Sequence, residues 1–506
     1  RRRSASYREP SVVLGPWPVQ FQLITSFQPD AGVRRSMETS VLSAGTNSKL
    51  DRLVGTRLFN ARSVLLWAGG FAPAVLIANR IVRAVHKYGV DFDCPPYWPI
   101  GIGYPRVPHW TALPIAALCL IALHQGLRIL ERSRYRLMHV ICLGLVLILG
   151  TTFMQGWTYQ LGWDAGFVNP IAGMGQGGIQ HYHDALAIEN PITFLREYVA
   201  RQPTLLEHSR THPPGAALTM YALSRLVVRP ALISVTIAIV SVLLIATCLR
   251  SLLSRFLHDE KLSGYVTLIM LLVPAVQIYS AASLDALIAG LAIGTVALGT
   301  GRSKSIRLAG AFACLLLLSF MTFAALFAMP VLLGFELWRT RTFWRSGLIA
   351  ALVALVYWVM AQTTGFNYVE CFRTAASLEN PDGWRLFAEP VSFCLTRIEG
   401  LAEIILFFGP FLTVIAIRGL RKPASSSSEL RVLTWLGVGT LAAMFLTGAF
   451  RTGETARTCL FIYPYLLMPV AGYLGSSDAD ARERRILAGL VFAQTLLMQM
   501  FGAYFW

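Results

Sequence analysis

The stretch "SGYVTLIMLLVPAVQIYSAASLDALIAGLAIGTVALGT", residues 263–300, holds a single charged residue, Asp285, in 38 positions. About 20 apolar residues cross the hydrocarbon core of a bilayer, so this run is long enough for two crossings, and we divide it near residue 281. The run 308–338 reads the same way and divides near residue 322. Working outward, further apolar runs occupy 62–83, 110–130, 137–155, 231–249, 347–363, 401–418, 432–450, 459–475 and 486–505. The fold expected is an all-α membrane protein, a polytopic helical bundle of about 11 to 13 transmembrane helices.

Composition agrees. Of 506 residues, 55% are hydrophobic and only 14% charged, against roughly 25% charged in soluble domains. The net charge of +17 would suggest nucleic acid in a soluble protein, but no basic stripe interleaved with aromatics is present, so a nucleic-acid partner is excluded. The cations instead fall in alternate short connections: Arg132, Arg134 and Arg136; Arg250, Arg255 and Lys261; Arg302, Lys304 and Arg307; Arg339, Arg341 and Arg345; Arg418, Arg421, Lys422 and Arg431; Arg482, Arg484 and Arg485. Lysine and arginine mark cytoplasmic loops. The connections 84–109, 156–230, 364–400 and 451–458 then face the other side, and any chemistry should be extracytoplasmic. The alternation requires that 216–229, which carries Arg225 and Arg229, lies along the membrane as an interfacial helix.

Residues 1–60 are rich in Arg, Ser and Pro and lack helical periodicity, which predicts a disordered basic segment. The first methionine is Met37, so 1–36 reads as an upstream extension outside the native protein. Eight cysteines show no C-x-x-C spacing, which argues against a zinc site or a dense disulfide frame; among Cys94, Cys371 and Cys394, all in extracytoplasmic connections, one bridge is compatible with the compartment.

The longest connection, 156–230, is too long for an idle loop in a compact protein. It mixes Trp157, Tyr159, Trp163, Phe167, Tyr182, Phe194 and Tyr198 with polar residues, a composition suited to the membrane interface and to packing on a sugar ring. Residues 190–201 repeat apolar side chains at Ile192, Leu195 and Val199, predicting an amphipathic helix. Two fragments carry chemistry: "HYHDA", with His181, His183 and Asp184, and "HSRTHPPG", with His208, Arg210 and His212. A carboxylate beside imidazoles serves as a general base or a metal ligand; ordinary helix capping is the competing explanation. His208 and His212 share a helical face at i and i+4, yet the Glu of a zinc-protease motif is missing and Pro213 follows at once. Asp285 stands near the outer end of a span, where a charge lines a polar cavity or has a partner, or caps the helix. In "RTGETARTC", Glu454 and Arg457 lie three apart on one face, with Arg451 and Arg457 available for a phosphate.

Taken in order, the long first extracytoplasmic loop with its acid, the "HPPG" before an interfacial helix, Asp285 and the late "GETAR" turn resemble the GT-C superfamily of integral-membrane glycosyltransferases over residues 61–506. The likeness is greatest to the protein O-mannosyltransferase and aminoarabinose transferase branch. It implies a polyprenyl-phosphate sugar donor, a glycan, lipid or protein acceptor, a multi-pass protein of a bacterial inner or plasma membrane, and an active site formed in part by loop 156–230. By the same resemblance Asp184 corresponds to the acid of the first loop, His212 to the loop motif and Arg457 to the cation near the lipid phosphate. Asp164 is the reserve base, His183 or His212 would orient substrate, and Arg210, Asp285, Arg451 and Glu454 join the binding set. The paired acids "DE" or "DxD" of several relatives are missing here, since Ala185 follows Asp184; a divalent metal therefore stays open as a cofactor. A transporter or lipid flippase, and an O-antigen-type polymerase or ligase, are the competing readings.

Overall fold

The computed structural model describes residues 61–88, 98–99, 104–105, 107–108, 110–154, 163–173, 181–301, 305–421, 427–448, 453–477 and 479–504. Residues 1–60, and with them the expected disordered segment, lie outside these, as do Cys94 and Arg451. Among the described residues the chain is helical throughout, apart from one short antiparallel pairing of Tyr104–Pro105 with Gly502–Ala503.

Each expected apolar run overlies a helix or a broken pair of helices. Crossings are a stricter matter: five described helices are long and apolar enough to span a bilayer, or six if one bent pair is counted as a single span. The long run that decides the fold does divide, and Pro274 explains the first break. Proline lacks an N–H and clashes with the preceding turn, so the helix Glu260–Leu272 ends and a short helix Pro274–Tyr279 begins. Residues 280–284 turn the chain, with Ala282 at φ +67, and the helix Asp285–Gly299 follows.

One expected span needs correction. The run 401–418 is not a straight crossing, and 364–400 is not simply a connection. A helix already occupies Tyr368–Glu379, and another starts at Pro390 and runs to Phe408 before bending by 99° into Pro410–Arg421. Gly409 makes the bend at φ +100, a backbone region that side chains with a Cβ avoid.

The Asp285–Gly299 helix is the axis of the packed core, against Pro230–Leu257, Ser305–Met321 and Ala325–Thr340. Ala286, Gly290 and Gly294 recur every four residues and so share one face. A Cβ on Gly290 would stand 2.8 Å from Leu244 Cβ, and one on Gly294 3.1 Å from Cys314 Sγ, the small-residue packing that brings membrane helices close. At the periphery the pattern inverts. The helix Trp344–Thr364 buries only Ser346, Ile349, Val353 and Tyr357 and leaves Leu355 52% and Trp358 61% exposed. An apolar face of that extent suits lipid rather than water.

Candidate active site

The loop after the third apolar run folds on its own polar residues. Asn190 Oδ1 accepts the N–H groups of Ile192 and Thr193 at 2.9 and 3.3 Å, capping the helix Pro191–Arg201, whose first position is a proline. The buried face of this helix carries Phe194 and Tyr198; of the expected aliphatic stripe, Val199 packs partly against the core while Ile192 is exposed. The Tyr198 hydroxyl lies 2.7 Å from the carbonyls of both Ser209 and His212. Gln202 Nε2 donates to the carbonyls of Arg210 at 2.8 Å and Cys371 at 3.2 Å. Together they fix the strap 206–212, which contains the one-turn helix Glu207–Arg210. The glycine of "HPPG" is required by a close approach: a Cβ on Gly215 would collide with the carbonyl of Phe320.

Four segments remote in sequence then meet. Asp285 is the first residue of its helix; Ser283 Oγ donates to its Oδ2 at 2.6 Å and accepts its N–H at 3.1 Å. The carboxylate is therefore free of capping duty and turns to Arg457, whose Nε stands 3.3 Å from Asp285 Oδ2. Arg457 Nη2 lies 3.1 Å from Glu454 Oε2 and 3.2 Å from His208 Nε2. The side chains of Arg457, Asp285 and Glu454 keep only 6%, 16% and 25% of their exposure. Beneath the turn, Glu403 Oε2 accepts the N–H of Ala456 at 3.2 Å, and a Cβ on Gly400 would stand 3.0 Å from Thr455 Oγ1.

Asp184 Oδ2 accepts the N–H of Leu206 at 3.1 Å, and Ser209 also hydrogen-bonds its carboxylate. His181 Nδ1 lies 3.1 Å from Ser209 Oγ, and its ring centroid is 5.4 Å from His212 and 6.3 Å from His208. The strap thus touches Asp184 through Leu206 and Ser209 and touches Arg457 through His208. Among the described residues no three His, Cys, Asp or Glu side chains converge as metal ligands; the imidazoles of His181, His208 and His212 meet tilted or edge to face.

Burial sets the protonation of the cluster. Desolvation holds His181 and His208 well below the ordinary histidine range, with the Arg457 charge acting in the same direction. His212 is lowered by desolvation and partly restored by Asp285. Desolvation raises Asp184 against the bonds from Ser209 and Leu206. It pushes Glu454 up to about 7, although Arg457 pulls the other way.

Of the expected site residues, Asp184, His212, Asp285, Glu454 and Arg457 belong to this assembly. His183 is half-buried against Tyr182, with its Nε2 buried and lacking a hydrogen bond. Arg210 serves through its carbonyl, while its buried Nε has no hydrogen bond. Asp164 is exposed at the start of a π-helical turn, Asp164–Val168. Cys371 and Cys394 are both free thiols. Sequence reasoning singled out His181 and His208 in their fragments without assigning them a role, and missed Ser209 and Glu403. The signal for Glu403 was a carboxylate inside the apolar run 401–418.

No protein-family model matches the chain, and no curated protein matches it. Among solved structures, that of ArnT from Cupriavidus metallidurans in the apo state aligns with 70% of this chain and 58% of its own, at 17% identity and a TM-score of 0.36. The chain thus spans less than two thirds of that protein. A likeness at this level decides nothing about the site, and the functional reading rests on the residues described above.

Proposed function

We propose that the protein is a membrane glycosyltransferase that moves a sugar from a polyprenyl-phosphate donor to a hydroxyl acceptor at the extracytoplasmic face, with inversion. The observation that carries the reading is the contact of His208 with Arg457, which joins the first long loop, with its carboxylate, to the late turn, with its guanidinium. Transfer from a lipid phosphate needs a base for the acceptor proton and a cation for the charge growing on the leaving phosphate.

In-line displacement places base and phosphate on opposite sides of the anomeric carbon. Glu454 touches Arg457 directly and so belongs on the phosphate side. Asp184, hydrogen-bonded to Leu206 and Ser209 of the strap, is the base: it takes the acceptor hydroxyl proton as the acceptor oxygen bonds to the anomeric carbon. The carbon–oxygen bond to phosphate breaks, and the electron pair leaves with polyprenyl phosphate beside Arg457. Asp285 fixes the guanidinium, and the neutral imidazole of His212 orients the sugar. The lipid tail stays among the apolar helices, because no aqueous pocket takes up many isoprene units cheaply.

A panel of radiolabelled polyprenyl-phosphate and nucleotide sugars, offered to the purified protein in vesicles, tests the proposal. Release of polyprenyl phosphate supports it; exclusive use of a nucleotide sugar removes it.

A further inference from the structure

The axial helix that presents Asp285 at its first residue ends in a ring of cations. Arg255, near the end of Pro230–Leu257, reaches the carbonyl of Ala297 through Nη1, stands 3.5 Å from Thr300 Oγ1 and bonds Ser251 Oγ through Nη2 at 3.0 Å. Arg339, from Ala325–Thr340, donates to the Thr300 carbonyl at 3.4 Å. Arg307, from Ser305–Met321, lies over Gly301, where a Cβ would stand 2.9 Å from its Nη1. Three helices therefore send three guanidiniums to one spot, and Arg307 and Arg339 both repel the Arg255 charge.

A helix C-terminus supplies about half a negative charge, so it offsets only a fraction of three cations. Among the described residues no carboxylate pairs with any of them. Glu336 shares a helix with Arg339 three residues away, but its oxygens accept Arg345 N at 3.2 Å, Ser346 N at 2.8 Å and Ser346 Oγ at 2.6 Å. The helices that bring Arg307 and Arg339 also expose apolar side chains: Ile306, next in sequence to Arg307, is 79% exposed, and Leu337 and Leu333, on the helix of Arg339, are 48% and 38% exposed. Cations without a carboxylate partner, carried on helices that also expose apolar side chains, match a ligand with an anionic head and hydrocarbon chains. A free phosphate would use the cations and leave the exposed apolar side chains without a role.

We propose that this ring, Arg255, Arg307 and Arg339 at the end of the Asp285–Gly299 helix, binds the phosphate of an anionic phospholipid headgroup. The site lies about 22 Å from Asp285 along the helix, at 1.5 Å per residue, and does not depend on the sugar-transfer reading.

The test uses the full chain in nanodiscs of phosphatidylcholine with a minor fraction of phosphatidylglycerol, and reads retained lipid by native mass spectrometry. Arg307→Gln and Arg339→Gln are each expected to lower phosphatidylglycerol retention roughly fivefold, the effect of one cation at a membrane surface. Arg132→Gln, an exposed arginine of another connection, should leave it unchanged. Arg339 is exposed, so its variant is expected to fold even if the Arg307 variant does not. Equal retention by wild type and both variants, or an equal loss in Arg132→Gln, overturns the proposal. Binding of inorganic phosphate to the detergent-solubilised protein, with no preference for phosphatidylglycerol over phosphatidylcholine in nanodiscs, overturns the lipid assignment.

Discussion

His208 and Arg457 are 249 residues apart in the chain, and their side chains meet at 3.2 Å. A guanidinium only donates, so His208 Nε2 accepts and the imidazole is neutral with its proton on Nδ1. Protonation would set two cations against each other in a buried site. The docking of strap and turn is thus conditional on a neutral His208, as its depressed proton affinity requires.

This gives a pH dependence of stability. His208 and His181 are lowered in the folded state and titrate near the usual 6.5 when unfolded. Above that value both states are neutral and nothing is lost. As pH falls below it the unfolded chain binds protons that the folded chain refuses, so stability drops by about 1.4 kcal/mol per pH unit for each such histidine. Thermal unfolding followed from pH 8 to pH 5 should show the decline, and His208→Gln, which keeps an acceptor but cannot titrate, should make it shallower. An unchanged slope contradicts the neutral contact.

Glu454 titrates at about 7 and competes with donor phosphate for Arg457. Below that pH it is protonated and no longer competes for the guanidinium, which still faces Asp285; above it, Glu454 is an anion at 3.1 Å. Donor KM is therefore expected to rise with pH through 7, by at most about tenfold per pH unit, and Glu454→Gln should flatten the profile. Steady-state kinetics at fixed acceptor concentration checks this.

Removing the guanidinium should act on donor use. Arg457→Lys keeps the charge but loses the geometry shared among Asp285, Glu454 and His208, and is expected to lower kcat/KM for donor by about 100- to 1,000-fold. Arg457→Ala strands two carboxylates and should also destabilise the fold, by about 3 to 5 kcal/mol. An effect confined to acceptor affinity contradicts the phosphate role.

Glu403 is a positioning residue for the turn. Glu403→Leu leaves the Ala456 N–H without its acceptor, a loss of about 1 to 3 kcal/mol, while Glu403→Gln retains a carbonyl oxygen for it. The expected result is a raised donor KM in the leucine variant, largely restored in the glutamine variant. Equal damage from both would mean that the charge, not the hydrogen bond, matters.

The bundle was legible in the sequence because apolar runs and alternating cations follow from bilayer thickness and topology, and Pro274 marks its own break. Asp184, His212, Asp285, Glu454 and Arg457 stood out because charge or imidazole near an apolar run needs a partner. The partners were not legible. Nothing local in "HSRTH" says that His208 meets Arg457, since the contact depends on how Tyr198 and Gln202 fold the strap. Glu403 lay inside the run read as 401–418 and passed as part of a straight span, whereas its helix begins at Pro390 and the chain bends at Gly409. Asp164 was a reasonable reserve by residue type, yet its position on an exposed turn is set by packing of Gly166 on Thr152, which no spacing reveals.

The central claim is that Asp184 is the base in a site shared with Arg457. Its most direct test is the initial rate of polyprenyl-phosphate release by Asp184→Asn and Asp164→Asn in vesicles, at saturating donor and acceptor. The account predicts a fall of about 100- to 10,000-fold for Asp184→Asn and a near-normal rate for Asp164→Asn. Near-normal turnover by Asp184→Asn together with loss in Asp164→Asn would contradict it.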